Sequence, residues 1–257
     1  MIDFEHSLKE FKKYLEQFDC NNGKIQLKIR HTYGVVKASE YISSKLELDK
    51  ENYELARLIA LLHDIGRFEQ LKQSNSFSDS NEIDHVILGN KILFEDNLIS
   101  YFLDDRKYDQ IISKAILNHN KLKVDDDLSD IELLHSKIIR DADKTDNFRV
   151  KAEEKIEDIM DNCNQKLLEN STISDEIYND FMNNKIIIHN KRKTYLDFWI
   201  SYIAFIFDFN YNSGLEYIDN LNYINTIVNR LNYQDSDVKN KMQKIKEHAL
   251  DYINKRK

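Results

Sequence analysis

The most constraining feature of this chain is a shortage of residues that interrupt helices. It has no proline and only five glycines among 257 residues. Proline and glycine mark most turns, so their scarcity disfavours a fold of many short strands. Leucine, isoleucine, lysine and glutamate are plentiful instead. We therefore predict an all-α protein whose helices are joined by polar loops.

Apolar residues at spacings of three and four predict amphipathic helices through the first 150 residues. The predicted helices span residues 8–18, 27–46, 54–63, 83–94, 108–119 and 131–143. Gly66 is expected to end the third helix region and to let a substrate come close. Beyond residue 150 helix and loop patterns mix, without a linker. The prediction is a helical core at residues 1–150 and a C-terminal helical extension, residues 151–257, packed on it.

Charge and hydropathy exclude several function classes. The net charge is −8 and there is no basic stripe, which argues against a nucleic acid polymer as partner. The apolar stretch 198–209 is too short to span a membrane. Two cysteines and an acidic N-terminus without a signal peptide favour the cytoplasm. A small phosphorylated substrate fits, because metal ions supply positive charge locally. A homo-oligomer is also compatible with the sequence.

Four histidines occupy apolar faces of four successive predicted helices. They are His31, His63, His85 and His119. A single histidine in such a place is ordinarily a core residue. Four of them, together with Asp64 and the cluster Asp141-Ala142-Asp143, are harder to explain by packing, because buried carboxylates are costly unless paired or bound to a metal. Imidazole and carboxylate together suit divalent metals.

The adjacent pair His63-Asp64 adds a geometric argument. Consecutive helical residues point about 100° apart, given about 3.6 residues per turn. Two neighbouring side chains can therefore hold one ion from two directions, or the carboxylate can reach a second ion.

The ordered set His31 … His63-Asp64 … His85 … His119 … Asp143 resembles the HD-domain superfamily of metal-dependent phosphohydrolases. The similar strings are Leu61-Leu62-His63-Asp64-Ile65-Gly66-Arg67, Asp84-His85 … Gly89, Ile116-Leu117-Asn118-His119 and Ile139-Arg140-Asp141-Ala142-Asp143-Lys144. The resemblance covers roughly residues 25–150. It implies an HD-type helical bundle.

The resemblance also implies site roles. The residues that would hold a first metal ion are His31, His63, Asp64 and Asp143. Asp64 would bridge to a second ion, held also by His85 and His119. One or two divalent ions are expected, drawn from Mn, Ni, Co, Mg, Zn and Fe. Lys144 and Arg67 would join Asp64 in catalysis by meeting phosphate oxygens, although ordinary ion pairs explain these two residues equally well.

The implied activity is hydrolysis of a small phosphate ester, such as a nucleotide, by metal-activated water. Two alternatives stay open. Some HD-type proteins with a similar ligand set are di-iron oxygenases. A non-catalytic nucleotide-binding regulatory module is the other alternative, and the complete ligand set argues against it.

Overall fold

The architecture of the chain is entirely helical. The computed structural model describes residues 2–77, 79 and 84–257, and these residues contain helices but no strand. The predicted all-α fold is therefore confirmed. The chain divides into two compact units, Met1–Asp146 and Asn147–Lys257.

The described residues of unit 1 form six α-helices and most of a seventh. In chain order they are α1 (Phe4–Leu15), α2 (Gly23–Lys45), α3 (Lys50–Leu62), α4 (Ile65–Ser74), α5 (His85–Asn90), α6 (Asp109–Asn118) and α7 (Asp130–Glu153). A π-helical turn, Lys91–Glu95, follows α5, and short 3₁₀ helices lie at Leu98–Tyr101 and Arg106–Tyr108. The division between the units falls inside α7.

Side-chain caps set where three of these helices begin. Asn22 accepts hydrogen bonds from backbone amides at the start of α2, and Asp49 does the same for α3. Asp84 caps α5 directly before His85. Such caps satisfy amides that have no partner within the helix, and each stabilises a helix by about 1 kcal/mol.

The core of unit 1 is centred on α3. Its residues Leu55, Leu58, Ile59, Leu61 and Leu62 are at most 1% exposed. A helix that is apolar on most of its faces must be surrounded by others. The central position of α3 places its C-terminal end, where His63 and Asp64 follow, deep inside the unit.

Gly66 does not end a helix, so that expectation was wrong. Helix α3 ends at Leu62, and Gly66 lies in the first turn of α4. A Cβ at Gly66 would lie only 2.1 Å from the His85 carbonyl oxygen and 2.5 Å from the Gly89 nitrogen. The glycine thus lets the backbones of α4 and α5 approach each other, and this approach brings His85 towards Asp64. Ile83, predicted as helical, lies outside the described residues.

Unit 2 has its own apolar core. After the end of α7 its helices are α8 (Ile156–Ile159), α9 (Gln165–Glu169), α10 (Asp175–Met182), α11 (Tyr195–Ile203), α12 (Asn212–Asn220), α13 (Tyr223–Asn229) and α14 (Ser236–Arg256). The 3₁₀ helices His189–Lys191 and Ala204–Asp208 connect parts of it. Trp199 is fully buried in this core. The predicted domains 1–150 and 151–257, with the second packed on the first, stay a prediction.

Candidate metal centre

Four buried histidines meet inside unit 1. His31 lies in the middle of α2, His63 directly follows α3, His85 begins α5 and His119 directly follows α6. Each is at most 5% exposed. The imidazole rings form a continuous row: the centroids of His31 and His63 are 5.6 Å apart, those of His63 and His119 5.3 Å, and those of His119 and His85 5.5 Å.

Asp64 lies in the middle of this row, and each of its carboxylate oxygens faces two histidines. Oδ2 is 3.3 Å from His63 Nε2 and 3.8 Å from His31 Nε2. Oδ1 is 3.4 Å from His85 Nε2 and 3.7 Å from His119 Nε2. The carboxylate therefore connects two sets of ligand atoms.

Asp143, on α7, adds a second carboxylate close to His31 and His63. Its Oδ1 lies 3.0 Å from His31 Nε2 and 4.0 Å from His63 Nε2. We call His31, His63 and Asp143, which lie on the Oδ2 side of Asp64, the first group. His85 and His119, on the Oδ1 side, are the second group. The structure thus brings all six predicted metal ligands together.

Every histidine of the row is oriented through its other ring nitrogen. Nδ1 of His63 lies 2.8 Å from the Ala60 carbonyl oxygen, and Nδ1 of His119 lies 2.7 Å from that of Ile116. A carbonyl can only accept a hydrogen bond, so Nδ1 carries the proton in both rings. The lone pair is left on Nε2, the atom that faces Asp64, as in metal-binding histidines.

Two carboxylates orient the other two histidines through hydrogen bonds at Nδ1. Asp146 Oδ2 lies 2.8 Å from His31 Nδ1, and Asp79 Oδ1 lies 2.8 Å from His85 Nδ1. A carboxylate behind an imidazole fixes its orientation and raises its basicity as a ligand. Neither aspartate was predicted from the sequence as part of the centre. Asp146 is detectable in retrospect, because it lies one helical turn beyond Asp143.

Gly34 makes room for one of these carboxylates. A Cβ at Gly34 would lie 1.8 Å from Asp146 Oδ1. Any larger residue at position 34 would therefore displace Asp146 and, through it, His31.

Two buried polar atoms of the centre have no hydrogen-bond partner among the described residues. They are His63 Nε2 and Asp64 Oδ1. Buried polar atoms are costly to leave unsatisfied. His63 Nε2 belongs to the first group, and Asp64 Oδ1 is the oxygen that faces the second group. Imidazole nitrogens and carboxylate oxygens are ligands for transition metals, so the residues present fit a divalent ion.

The protonation states of most of these residues also suit metal binding. Burial alone would raise the pKa of Asp64, but Lys28 and His63 lower it well below its usual value. The pKa of Asp143 is likewise lowered, through its hydrogen bond with His31, despite burial. Burial lowers the pKa of His119 to about 3 and also lowers that of His85. The carboxylates are therefore charged at neutral pH and these two imidazoles are neutral.

His31 behaves differently because it lies between two carboxylates. Burial and Lys28 would lower its pKa, but hydrogen bonds to Asp143 and Asp146 raise it above the ordinary value. An ion bound to the first group would take the place of the proton on Nε2.

Arg67 and Lys144, the two residues predicted to contact phosphate, differ in their surroundings. Arg67 Nε lies 3.8 Å from Asp64 Oδ1, while its Nη1 donates to Asp79 Oδ1 at 3.0 Å and to the Phe77 carbonyl oxygen at 2.8 Å. Lys144 follows Asp143 on α7 and is only 7% exposed, which leaves little of it open to a ligand. Both roles stay predictions.

Lys28 is the cation that the sequence analysis missed. Its Nζ lies 2.5 Å from Asp64 Oδ2. It precedes His31 by three residues on α2, so the two side chains share one face of that helix. This spacing is a signal that could have identified it.

Across the described residues, no helix has both the length and the apolar character needed to cross a membrane.

Comparison with known proteins agrees with the geometry. The sequence model of the HD domain family matches residues 29–147, a range that contains all six predicted ligands and both aspartates behind the histidines. No curated protein and no solved structure matches the chain. Residues 29–147 of this chain therefore match the HD domain family, whose members are typically metal-dependent phosphohydrolases.

Proposed function

We propose that this protein hydrolyses a small phosphate ester, with nucleotides as the first class to test. The observation that carries the proposal is Asp64, a single buried carboxylate with one oxygen facing each ligand group. Two ligand sets that meet at one carboxylate would hold two ions close together, as in two-metal hydrolytic sites.

A bound divalent ion would supply Lewis-acid polarisation and a water of lowered pKa. The chain's own residues supply the rest. The imidazole Nε2 atoms and the two carboxylates would hold the ions, and Asp79 and Asp146 keep His85 and His31 in place. Arg67 would offset charge on a phosphoryl oxygen beside Oδ1 of Asp64.

A substrate screen tests the proposal. The full-length protein is supplied with Mn²⁺, Ni²⁺, Co²⁺ or Mg²⁺ and incubated with nucleotides and simple phosphate monoesters and diesters. We expect metal-dependent release of phosphate or of a dephosphorylated product, and its loss in Asp64→Asn. Asp96→Asn is a matched control, because that exposed carboxylate pairs with Lys91 away from the centre. Hydrolysis by Asp64→Asn at the wild-type rate would contradict the proposal.

The same ligand set supports a second candidate, a di-iron oxygenase. Four imidazoles around a shared carboxylate also suit iron. Iron in the purified protein, oxygen-dependent turnover and no hydrolysis of any phosphate ester would favour this candidate. The third alternative, a regulatory module that only binds nucleotides, leaves the unsatisfied atoms His63 Nε2 and Asp64 Oδ1 without an explanation.

A further inference from the structure

Lys28 contacts the same carboxylate oxygen that serves the first ligand group. Its Nζ lies 2.5 Å from Asp64 Oδ2, and His63 Nε2 lies 3.3 Å from that oxygen. The Lys28 side chain is only 12% exposed. A buried ammonium at this point neutralises Asp64, which would otherwise be a costly buried charge.

An ammonium and a divalent ion at one oxygen repel each other. The repulsion is strong because both lie where little water screens their charges. A cation that binds to the first group must therefore displace Lys28 from Asp64. The lysine side chain can move because its ammonium group lies at the end of a flexible chain of four carbons.

The surroundings of Lys28 give the displaced ammonium a place at the rim of the centre. Its Nζ is already 5.5 Å from the centre of the half-buried Phe77 ring. Cations are attracted to the face of an aromatic ring at this range. Lys28 can therefore leave Asp64 without leaving the centre.

Arg67 lacks this freedom. Its guanidinium donates to Asp79, to the Gln70 side chain and to the Phe77 carbonyl oxygen. Several hydrogen bonds hold the Arg67 guanidinium in one position, whereas the Lys28 ammonium forms one ion pair, with Asp64. Of these two cations, Lys28 is the one that can change its partner.

We propose that Lys28 exchanges partners: it neutralises Asp64 until a divalent ion binds, and it then contacts the phosphoryl oxygens of the substrate. The second half of this exchange rests on the proposed phosphohydrolase function. The exchange makes Lys28 a substrate-binding residue that selects for a negatively charged phosphoryl group beside the first group.

Binding measurements on the full-length chain test both halves. Lys28→Met removes the charge but keeps the stem. We expect it to bind Mn²⁺ about tenfold more tightly than the wild type, because the competing charge is gone. We expect the Mn²⁺-loaded variant to bind inorganic phosphate about tenfold more weakly, because a charged hydrogen bond is lost. Isothermal titration calorimetry measures both affinities.

Two further variants control for charge and folding. Lys24→Met removes a lysine one turn earlier on α2, whose Nζ contacts the Asn75 carbonyl oxygen and the Phe77 ring. It should leave both affinities unchanged. Lys28→Arg keeps the charge and should bind Mn²⁺ as the wild type does. If Lys28→Met does not fold, as judged by circular dichroism, Lys28→Gln provides the same neutral comparison.

Mn²⁺ affinity in the neutral variant that equals or falls below the wild-type value would overturn the competition for Asp64. Unchanged phosphate affinity would overturn the contact with substrate. A wild-type protein that binds Mn²⁺ but neither binds phosphate nor hydrolyses esters would contradict the proposed function and the substrate contact. The Mn²⁺ comparison would still decide whether Lys28 competes with the ion.

Discussion

The two ligand groups around Asp64 differ in charge and in the helices that carry them. The first group adds the carboxylate of Asp143, whereas the second group consists of two imidazoles. His31 and Asp143 lie on helices of 23 and 24 residues, whereas His85 begins a helix of six. More negative charge and longer supporting helices predict that the first group binds its ion more tightly. We therefore expect two ion sites of unequal affinity that share Asp64.

The orienting carboxylates differ in the same sense. Asp146, behind His31, is 4% exposed and comes from α7. The side chain of Asp79, behind His85, is 33% exposed and lies outside the helices. Hydrogen bonds to exposed groups compete with water, so His85 is held less firmly than His31. Ion binding by the second group therefore depends more on how firmly Asp79 holds His85.

The largest expected effect comes from the residue that both groups share. Asp64→Asn should lower the affinity for both ions by more than about 100-fold, because even mutations behind metal ligands cost up to that much. Metal content after equilibrium dialysis, measured by mass spectrometry, checks this. Asp96→Asn should retain the wild-type metal content. Two tightly held ions in Asp64→Asn would show that the groups do not depend on a common carboxylate.

Single-histidine variants should separate the groups. His85→Gln should retain one ion, bound by the first group, whereas His31→Gln should lose the tighter of the two ions. The reason is that each change removes one Nε2 ligand from one side of Asp64. Calorimetric titration with Mn²⁺ distinguishes the two outcomes. Identical titration curves for the two variants would contradict the inequality of the groups.

Changes behind the ligands should have smaller, group-specific effects. In Gly34→Ala the new methyl group displaces Asp146, so the first ion should bind about tenfold more weakly. Asp79→Asn should weaken the second ion by a similar factor of about ten, because His85 loses its charged partner. The same titration measures both variants. An equal loss at both ion sites in either variant would show that the two groups are not oriented independently.

A further prediction concerns stability rather than ion affinity, and it involves a buried histidine that belongs to neither group. His135 is 1% exposed, and burial lowers its pKa to about 4. Between about pH 6.5 and 4 the unfolded chain therefore binds a proton that the folded protein does not bind. Stability from this residue is complete above the unfolded pKa and is lost as the pH falls. Between pH 7.5 and 5 the loss is about 2 kcal/mol.

Urea unfolding of the wild type and of His135→Gln at both pH values measures this loss. The wild type should lose about 2 kcal/mol more than the variant on acidification. Buried His85 and His119 contribute in both proteins and cancel in the comparison. Added Mn²⁺ should change the contribution of the ligand histidines but not the difference due to His135. An equal pH dependence in both proteins would contradict the assignment.

The candidate metal ligands could be predicted from the sequence more readily than the residues that orient or neutralise them. The helical fold and the four histidines are readable from the sequence because each histidine lies on a periodic apolar face. Asp64 was indicated by its place beside His63, and Asp143 by the resemblance to the HD-domain superfamily. Asp146 and Lys28 are each three residues from a predicted ligand on the same helix, so that spacing contained a usable signal. Asp79 could not be found in this way, because it lies in a segment without periodicity and reaches His85 only through the fold.

The role of Gly66 shows a second limit. A glycine next to the His63-Asp64 pair is compatible with a helix end, a substrate contact or a close approach of two helices. The structure shows that Gly89 of α5 lies against Gly66, so the glycine serves the close approach of two helices. Arg67 was likewise visible as a cation near the centre, but its attachment to Asp79 depends on a tertiary contact that no local pattern records.

Titration of the wild-type protein with Mn²⁺, followed by electron paramagnetic resonance, tests most directly whether Asp64 joins two ion sites. We predict that a first equivalent gives the signal of an isolated ion. A second, more weakly bound equivalent should convert it into the signal of two magnetically coupled ions, because both would share one carboxylate. Two equivalents that remain magnetically independent, or saturation after one equivalent, would contradict it.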